Sequence, residues 1–348
     1  MNIYNVPETR RYWVVRAEGG LYYDHFIKHR IVALGHLNCL KVADTEENEW
    51  FSPDEGELSS SFLKHNESKD IKRQRTSVHL AQIRSFVYEM SIGDWVLTVG
   101  ERNIRFGRIL SHAFIRKGDL TVVYDPESGR KVDMDYDLRR DIQWGPSLLR
   151  KNLPYGLITS LKANQTLFCL DKNWEAVYHS LYPCFMRKEK LYLSARINTQ
   201  ESIKNYNVAA LFNILNEVEV IAKEFAIGNS LVNVDRDLEK YVDEDSLTIT
   251  TKAQFHSPGE IWNTISDLAG NISIDGWAAY AVATYSMIFG NQKLGFDGIL
   301  DLETRKKLWD LVLERLKSNK AEKIKESLKI ELPSANTTKL EDSSNDQE

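Results

Sequence analysis

The stretch from Tyr12 to His36, YWVVRAEGGLYYDHFIKHRIVALGH, restricts the fold more than any other in the chain. Trp13, Val14 and Val15 form an apolar run that breaks at Arg16, ahead of a Gly-Gly turn. Tyr22, Tyr23 and Phe26 follow in a helical segment, and Ile31–Leu34 is a second β-rich run that stops at Gly35. The order is strand, turn, helix, strand, with a cation and aromatic rings where the elements end. Element ends present side chains to ligands, because the middles of strands are committed to packing.

Beyond it, residues 44–75 are polar and charged, acidic first and then basic, and read as a long loop of the mobile or functional kind. Residues 77–90 carry Val78, Ala81, Ile83, Phe86, Val87 and Met90 at helical spacing, which predicts a helix capped by Ser77. Gly93-Asp94 turns into a strand at Trp95–Val99, and further strands are expected near residues 106–110, 120–124, 131–144 and 166–170. Short helices are expected from Tyr155 and over Trp174–Leu181. Many short strands with few helices predict a small, strongly curved β-barrel that carries its helices on one side.

The composition changes around residues 183–190, which sets a boundary at 185. A strand is expected over 191–197, a long apolar-striped helix over 206–227 ending at Gly228, a strand over 247–255 and a helix over 261–269. Two helical runs are expected over 300–328. Residues 277–289, WAAYAVATYSMIF, are apolar but too short to span a bilayer, so they read as a buried helix and a membrane role is disfavoured. From residue 333 the chain is nearly free of apolar residues and reads as a disordered tail.

The 42% hydrophobic content supports a sizeable core. Three cysteines without a C-x-x-C pair argue against a disulfide framework or zinc knuckle, and the N-terminus lacks the apolar run of a signal peptide; a cytoplasmic protein is expected. Residues 1–185 hold roughly 25 of the 45 Lys+Arg and roughly 24 of the 50 Asp+Glu, which leaves roughly 20 against 26 for the remainder. Attraction to a polyanion must therefore rest on a local surface of the first half.

The succession YWVVRAEGG, IVALGH, QIRSFVYEMSIGDWVLTV, FGRI, RRDIQWGPSLLRKNLP and QTLF resembles the PUA-like/EVE superfamily. The resemblance is to the form found at the N-termini of Mrr-like and other modification-dependent restriction proteins, and it covers residues 11–172, about half the chain. It implies a reader that holds a modified or flipped-out base in an aromatic pocket. The fold expected is α+β: an N-terminal PUA-like curved β-barrel with flanking helices over residues 1–185, a mainly α-helical domain over 186–332 and a tail over 333–348. The partner expected is nucleic acid, DNA rather than RNA, within a bacterial defence or restriction system. A protein partner or homo-oligomer would be reached through the second domain.

A flipped base needs faces to stack on and groups to read its edge. The candidates are Arg16 for a donor fork, Tyr22, Tyr23, Trp50 and Trp95 for stacking, and His36 for hydrogen bonding. Lys72, Arg73, Arg75, Arg102, Arg105 and Arg108 are the candidate phosphate contacts, with Arg139, Arg140, Arg150 and Lys151 extending the surface. The alternative is that Trp13 and Trp95 fill the core, that Arg16 pairs with Asp24 or Asp94, and that the other cations form a solvated face.

No G-x-x-x-x-G-K-[ST], G-x-S-x-G or H-E-x-x-H motif is present, so no catalytic residue and no cofactor is assigned. Asp235, Asp237, Asp243 and Asp245 precede Lys252, but TITTK lacks the carboxylate a metal-dependent nuclease places two residues before its lysine. His25 and His29 stand four apart near His36 and Cys39, without further ligands at fixed spacing, so no metal is assigned. An unrecognised metal-dependent nuclease or other effector in the second half, and a structural or membrane-proximal interaction protein that binds no nucleic acid, are the rival readings.

Overall fold

A computed structural model describes residues 4–46, 49–125, 130–163, 165–199, 201–226, 233–254, 259–266, 326–333 and 335–341. The chain is a mixed α+β protein whose contacts divide it into two compact units. One comprises residues 9–177 with 335–348, the other residues 1–8 with 178–334. The division falls inside a helix, earlier than the boundary expected at 185, and it assigns β1 (Tyr4–Asn5) to the second unit.

The first unit opens with β2 (Tyr12–Val15), α1 (Tyr23–His29) and β3 (Ile31–Leu34). Arg30 ends α1 in the left-handed conformation, φ 54°, and its N–H returns to the carbonyl of Ile27. All four residues of β2 and all four of β3 are buried. Unbroken apolar runs of this kind suit strands covered on both faces.

Two helices follow, α2 (Glu55–Ser68) and α3 (Arg73–Arg84). The long loop expected over 44–75 is therefore corrected: much of it is α2, capped by Asp54, whose carboxylate accepts from Glu57 N at 2.9 Å. This helix commits only Leu58, Phe62 and Asn66 to the interior, too few for a visible apolar stripe. Helix α3 begins at Arg73 instead of Ser77, whose hydroxyl bonds the Arg73 carbonyl at 3.0 Å inside the helix. It closes in a π turn over Ser85–Glu89.

Next come β4 (Trp95–Val99), β5 (Asn103–Ile109), β6 (Phe114–Ile115), β7 (Leu120–Asp125), β8 (Arg130–Met134), β9 (Leu138–Leu149), α4 (Tyr155–Ser160) and β10 (Leu167–Cys169). The strand order β10-β2-β4-β5-β9-β3, with β6 on β9, makes a curled half-barrel, and β7 and β8 form a separate hairpin. β2 and β4 run parallel, and β5 and β3 flank β9 antiparallel. Between Arg105 and Gly107 the β5 register shifts. A Cβ on Gly107 would lie 2.5 Å from Ile142 and 2.6 Å from the Trp144 ring, so glycine lets the sheet close on that indole. Trp13, Phe26, Phe62, Phe86 and Trp144 share the core inside the curl. Each fully buried ring of this size contributes about 1.5–3 kcal/mol.

Helix α5 (Trp174–Leu181) leads into the second unit, with β11 (Cys184–Arg187), β12 (Lys190–Ile197), α6 (Asn205–Ala226), α7 (Val234–Asp243), β13 (Thr250–Gln254), β14 (Gly259–Ser266) and β15 (Ile330–Glu331). Its sheet runs β1-β11-β12-β14-β13, with β15 on β12. The helix expected over 261–269 is corrected to a strand as far as Ser266, residues 267–269 lying outside the described residues: Gly259, Ile261, Asn263 and Ile265 are buried at every second position, and β14 pairs with all of β12. Among the described residues this unit combines that sheet with α6 and α7, and residues 326–328, the end of the second helical run expected over 300–328, are helical. The expected features at Gly228 and residues 277–289, and all of 300–328 except its last three residues, lie outside the described residues.

The disordered tail is corrected for residues 335–341. Leu340 is fully buried, and a Cβ on Gly145 would come within 2.8 Å of it. All three cysteines are free thiols. Among the described residues no helix is long and apolar enough to cross a membrane.

Candidate functional site

The end of β3, the turn after β2, helix α3 and the link from β8 to β9 bring a set of rings together in the first unit. Gly35 provides the clearance: a Cβ there would lie 2.4 Å from the ring of Tyr136. The Tyr136 hydroxyl donates to Glu18 Oε2 at 2.6 Å, and Tyr22 stands edge-on to Tyr136 with centroids 5.0 Å apart.

His36 follows Gly35, and its Nε2 lies 2.6 Å from Gln82 Oε1; with Nε2 protonated the imidazole is the donor. His79 stacks on His36 with centroids 4.2 Å apart and planes 7° from parallel. Arg75, His79 and Gln82 are spaced i, i+4, i+7, so a single face of α3 carries all three. Gln82 is buried, His36, His79, Tyr22 and Tyr136 are partly exposed, and Arg75 and Glu18 are exposed.

Burial pushes the His79 imidazole down to about 4, assisted by the charges of His36 and Arg75. Burial also lowers His36, opposed by its bond to Gln82. Both rings are therefore neutral at pH 7. Burial and then the bond to Glu18 raise Tyr136, which stays a phenol and a donor. The cluster offers uncharged rings, a carboxylate acceptor at Glu18 and an amide at Gln82, suited to holding a flat heteroaromatic group and reading its edge.

Of the residues singled out from sequence, Tyr22 and His36 belong to this cluster. Tyr23 lies apart, its ring over Gly100, 3.0 Å from where a Cβ would be, and its hydroxyl bonded to Ser147. Arg16 pairs with neither Asp24 nor Asp94; its guanidinium donates to the Leu161 carbonyl. Trp50 is 52% exposed and lies against His112, away from the other rings. Trp95 is fully buried, edge-on to Tyr12 and beneath Arg10, and presents no face to a ligand.

Lys72, Arg73 and Arg75 are exposed on the first turn of α3, beside the cluster. Arg102 and Arg105 sit at the opposite end of β9, and Arg108 donates to Gln143 Oε1 at 3.0 Å. Arg139 and Arg140 do not extend a phosphate surface: both are buried and bond backbone carbonyls.

Sequence reasoning missed Glu18, His79, Gln82 and Tyr136. Arg75, His79 and Gln82 shared a detectable helical face, but Tyr136 in DMDYD carried no signal of its own. His25 Nε2 bonds the Val132 carbonyl at 2.7 Å, and no group of three metal-binding side chains occurs among the described residues. Asp237 serves the start of α7, accepting from Asn233 N at 3.0 Å. Comparison with protein-family models, curated proteins and solved structures found no match.

Proposed function

We propose that residues 9–177 form a PUA-like reader of nucleic acid that takes a flipped-out, modified base, DNA rather than RNA, against the Tyr22, Tyr136, His36 and His79 cluster. The single observation that carries this reading is the grouping of neutral, partly exposed rings with a carboxylate and a buried amide, beside cations on the same helix. Base-to-ring stacking contributes about 1–3 kcal/mol per base, enough to offset the few kcal/mol that extrusion costs. Glu18 and Gln82 read the edge, while Lys72, Arg73 and Arg75 hold the backbone without reading sequence. The protein then acts in the cytoplasm as the sensor of a bacterial defence system, and its second unit passes the signal to a partner that carries any cutting activity.

The test is binding of the full chain at low salt to matched oligonucleotides that are unmodified, 5-methylated or 5-hydroxymethylated. A preference of tenfold or so, about 1.4 kcal/mol, for one form supports the reading. Equal affinity for all three removes its basis.

A further inference from the structure

The inner face of the curl turns polar where β4 leads into β5. Strand register sets Thr98, Arg105 and Ser147 opposite one another in a single row across β4, β5 and β9. Residues paired in this way share a face. Val96, two positions before Thr98 on β4, belongs to the core inside the curl, so the face of this row is the inner one. Gly100, two positions after Thr98, brings Tyr23 to the same face: a Cβ there would lie 3.0 Å from the ring, and the Tyr23 hydroxyl bonds Ser147. Thr98 is fully buried, Arg105 and Tyr23 are partly exposed and Ser147 is exposed, so the row runs from the core out to solvent.

Two members of the row lack partners. Oγ1 of Thr98 and Nε of Arg105 are buried and make no hydrogen bond. Among the described residues no carboxylate lies within ion-pair distance of Arg105. A guanidinium does not shed its proton in a protein, so the charge persists. A partly buried charge without a counter-charge and a buried hydroxyl without a partner both oppose folding. Water would satisfy the hydroxyl and leave the charge, whereas an anion satisfies both. The donor fork of Arg105 is flanked by the hydroxyls of Thr98, Ser147 and Tyr23. Donors that converge from several directions suit a tetrahedral oxyanion better than a flat carboxylate.

We propose that this inner row is a phosphate-binding site in which the Arg105 guanidinium and the Thr98 hydroxyl, with Ser147 and Tyr23 beside them, hold a phosphate group of a small molecule or of a polynucleotide. The polynucleotide source rests on the nucleic-acid reading above; the small-molecule source does not. The site lies at the end of β9 away from the ring cluster, and the unpartnered groups of the free protein are the donors that the ligand takes up.

The test compares the full chain with Arg105→Gln and Thr98→Val. The first arm measures thermal unfolding in inorganic phosphate and in chloride at equal ionic strength. Phosphate stabilises proteins generally through its exclusion from their surface, an effect that all three share. Beyond that common rise, the melting temperature of the unaltered chain should climb with the logarithm of phosphate concentration, as specific binding requires. Arg105→Gln should lose the excess and Thr98→Val should lose part of it. Thr98→Val keeps the shape and removes an unpartnered hydroxyl, so in chloride it should melt no lower than the unaltered chain. It carries the test alone if Arg105→Gln does not fold. The second arm measures oligonucleotide affinity against salt, where loss of one backbone contact reduces the logarithmic slope by about 0.9.

A lost excess with a reduced slope supports a polynucleotide source. A lost excess with an unchanged slope, or with no oligonucleotide binding by any form, supports the small-molecule source. In the last case the reader proposal fails on its own. An equal phosphate effect on all forms, none on any, or a Thr98→Val chain that melts lower in chloride overturns the site.

Discussion

The Tyr136 hydroxyl donates to Glu18 Oε2 at 2.6 Å, joining the link before β9 to the turn after β2, 118 residues away in sequence. The bond exists because Gly35 leaves room for the ring between them. Through it the end of β3 and the turn after β2 share a single partner, and Tyr22 and His36 come to the same place.

Gly35→Ala tests that dependence. The added methyl meets the Tyr136 ring, a side chain that can swing aside, so we expect a stability loss of only about 1–2 kcal/mol. Oligonucleotide affinity should fall by a larger factor than unfolding alone explains. Denaturant titration beside a binding isotherm checks this, and unchanged affinity would separate Tyr136 from the site.

The imidazole stack predicts an acid sensitivity. His36 and His79 both have folded pKa values below the ordinary 6.5 of an unfolded histidine, His79 at about 4. Their contribution is therefore complete above about pH 6.5 and is lost as pH falls towards 4. The urea midpoint should drop less between pH 7.5 and 5 in His79→Gln than in the unaltered chain. An identical drop would mean that the stack is not coupled to folding.

Arg140 holds the end of helix α3 in place. Its fully buried guanidinium donates to the carbonyls of Phe86 at 2.8 Å, Ser111 at 2.9 Å and Val87 at 3.2 Å, which fixes the π turn after α3. Burial lowers its pKa to about 10, so it remains charged at neutral pH. Arg140→Met keeps much of the volume and strips the three bonds, at a cost of about 3–5 kcal/mol. A loss under about 1 kcal/mol by chemical denaturation would contradict this role.

The two tryptophans named from sequence should separate cleanly. Trp95→Phe removes buried volume and should cost about 1–3 kcal/mol without altering oligonucleotide affinity beyond that. Trp50→Ala, at a half-exposed position, should change stability by about 0.5 kcal/mol or less. Melting curves and binding isotherms for both variants decide the matter.

The strands were legible where apolar runs were continuous, as at Trp13–Val15, Ile31–Leu34 and Trp95–Val99, because burial on both faces leaves no other choice of residue. Helix α2 was hidden because Leu58 and Phe62 are the only apolar residues among the three it buries, and its cap at Asp54 was the available signal. Strand β14 was misread because the turn residues before it resemble a helix start, although Ile261 and Ile265 already marked its alternation. Half of the ring cluster was visible in Tyr22 and His36. The other half depends on contacts from Tyr136 and His79 that only the tertiary fold creates.

The most direct measurement of the central claim is photocrosslinking of the full chain to an oligonucleotide carrying a 5-iodo pyrimidine at the recognised position, followed by peptide mapping. The account predicts adducts at Tyr22, His36, His79 or Tyr136, lost when Tyr136 is replaced by alanine. Adducts confined to Trp50 or to the second unit, and unaffected by that replacement, would contradict it.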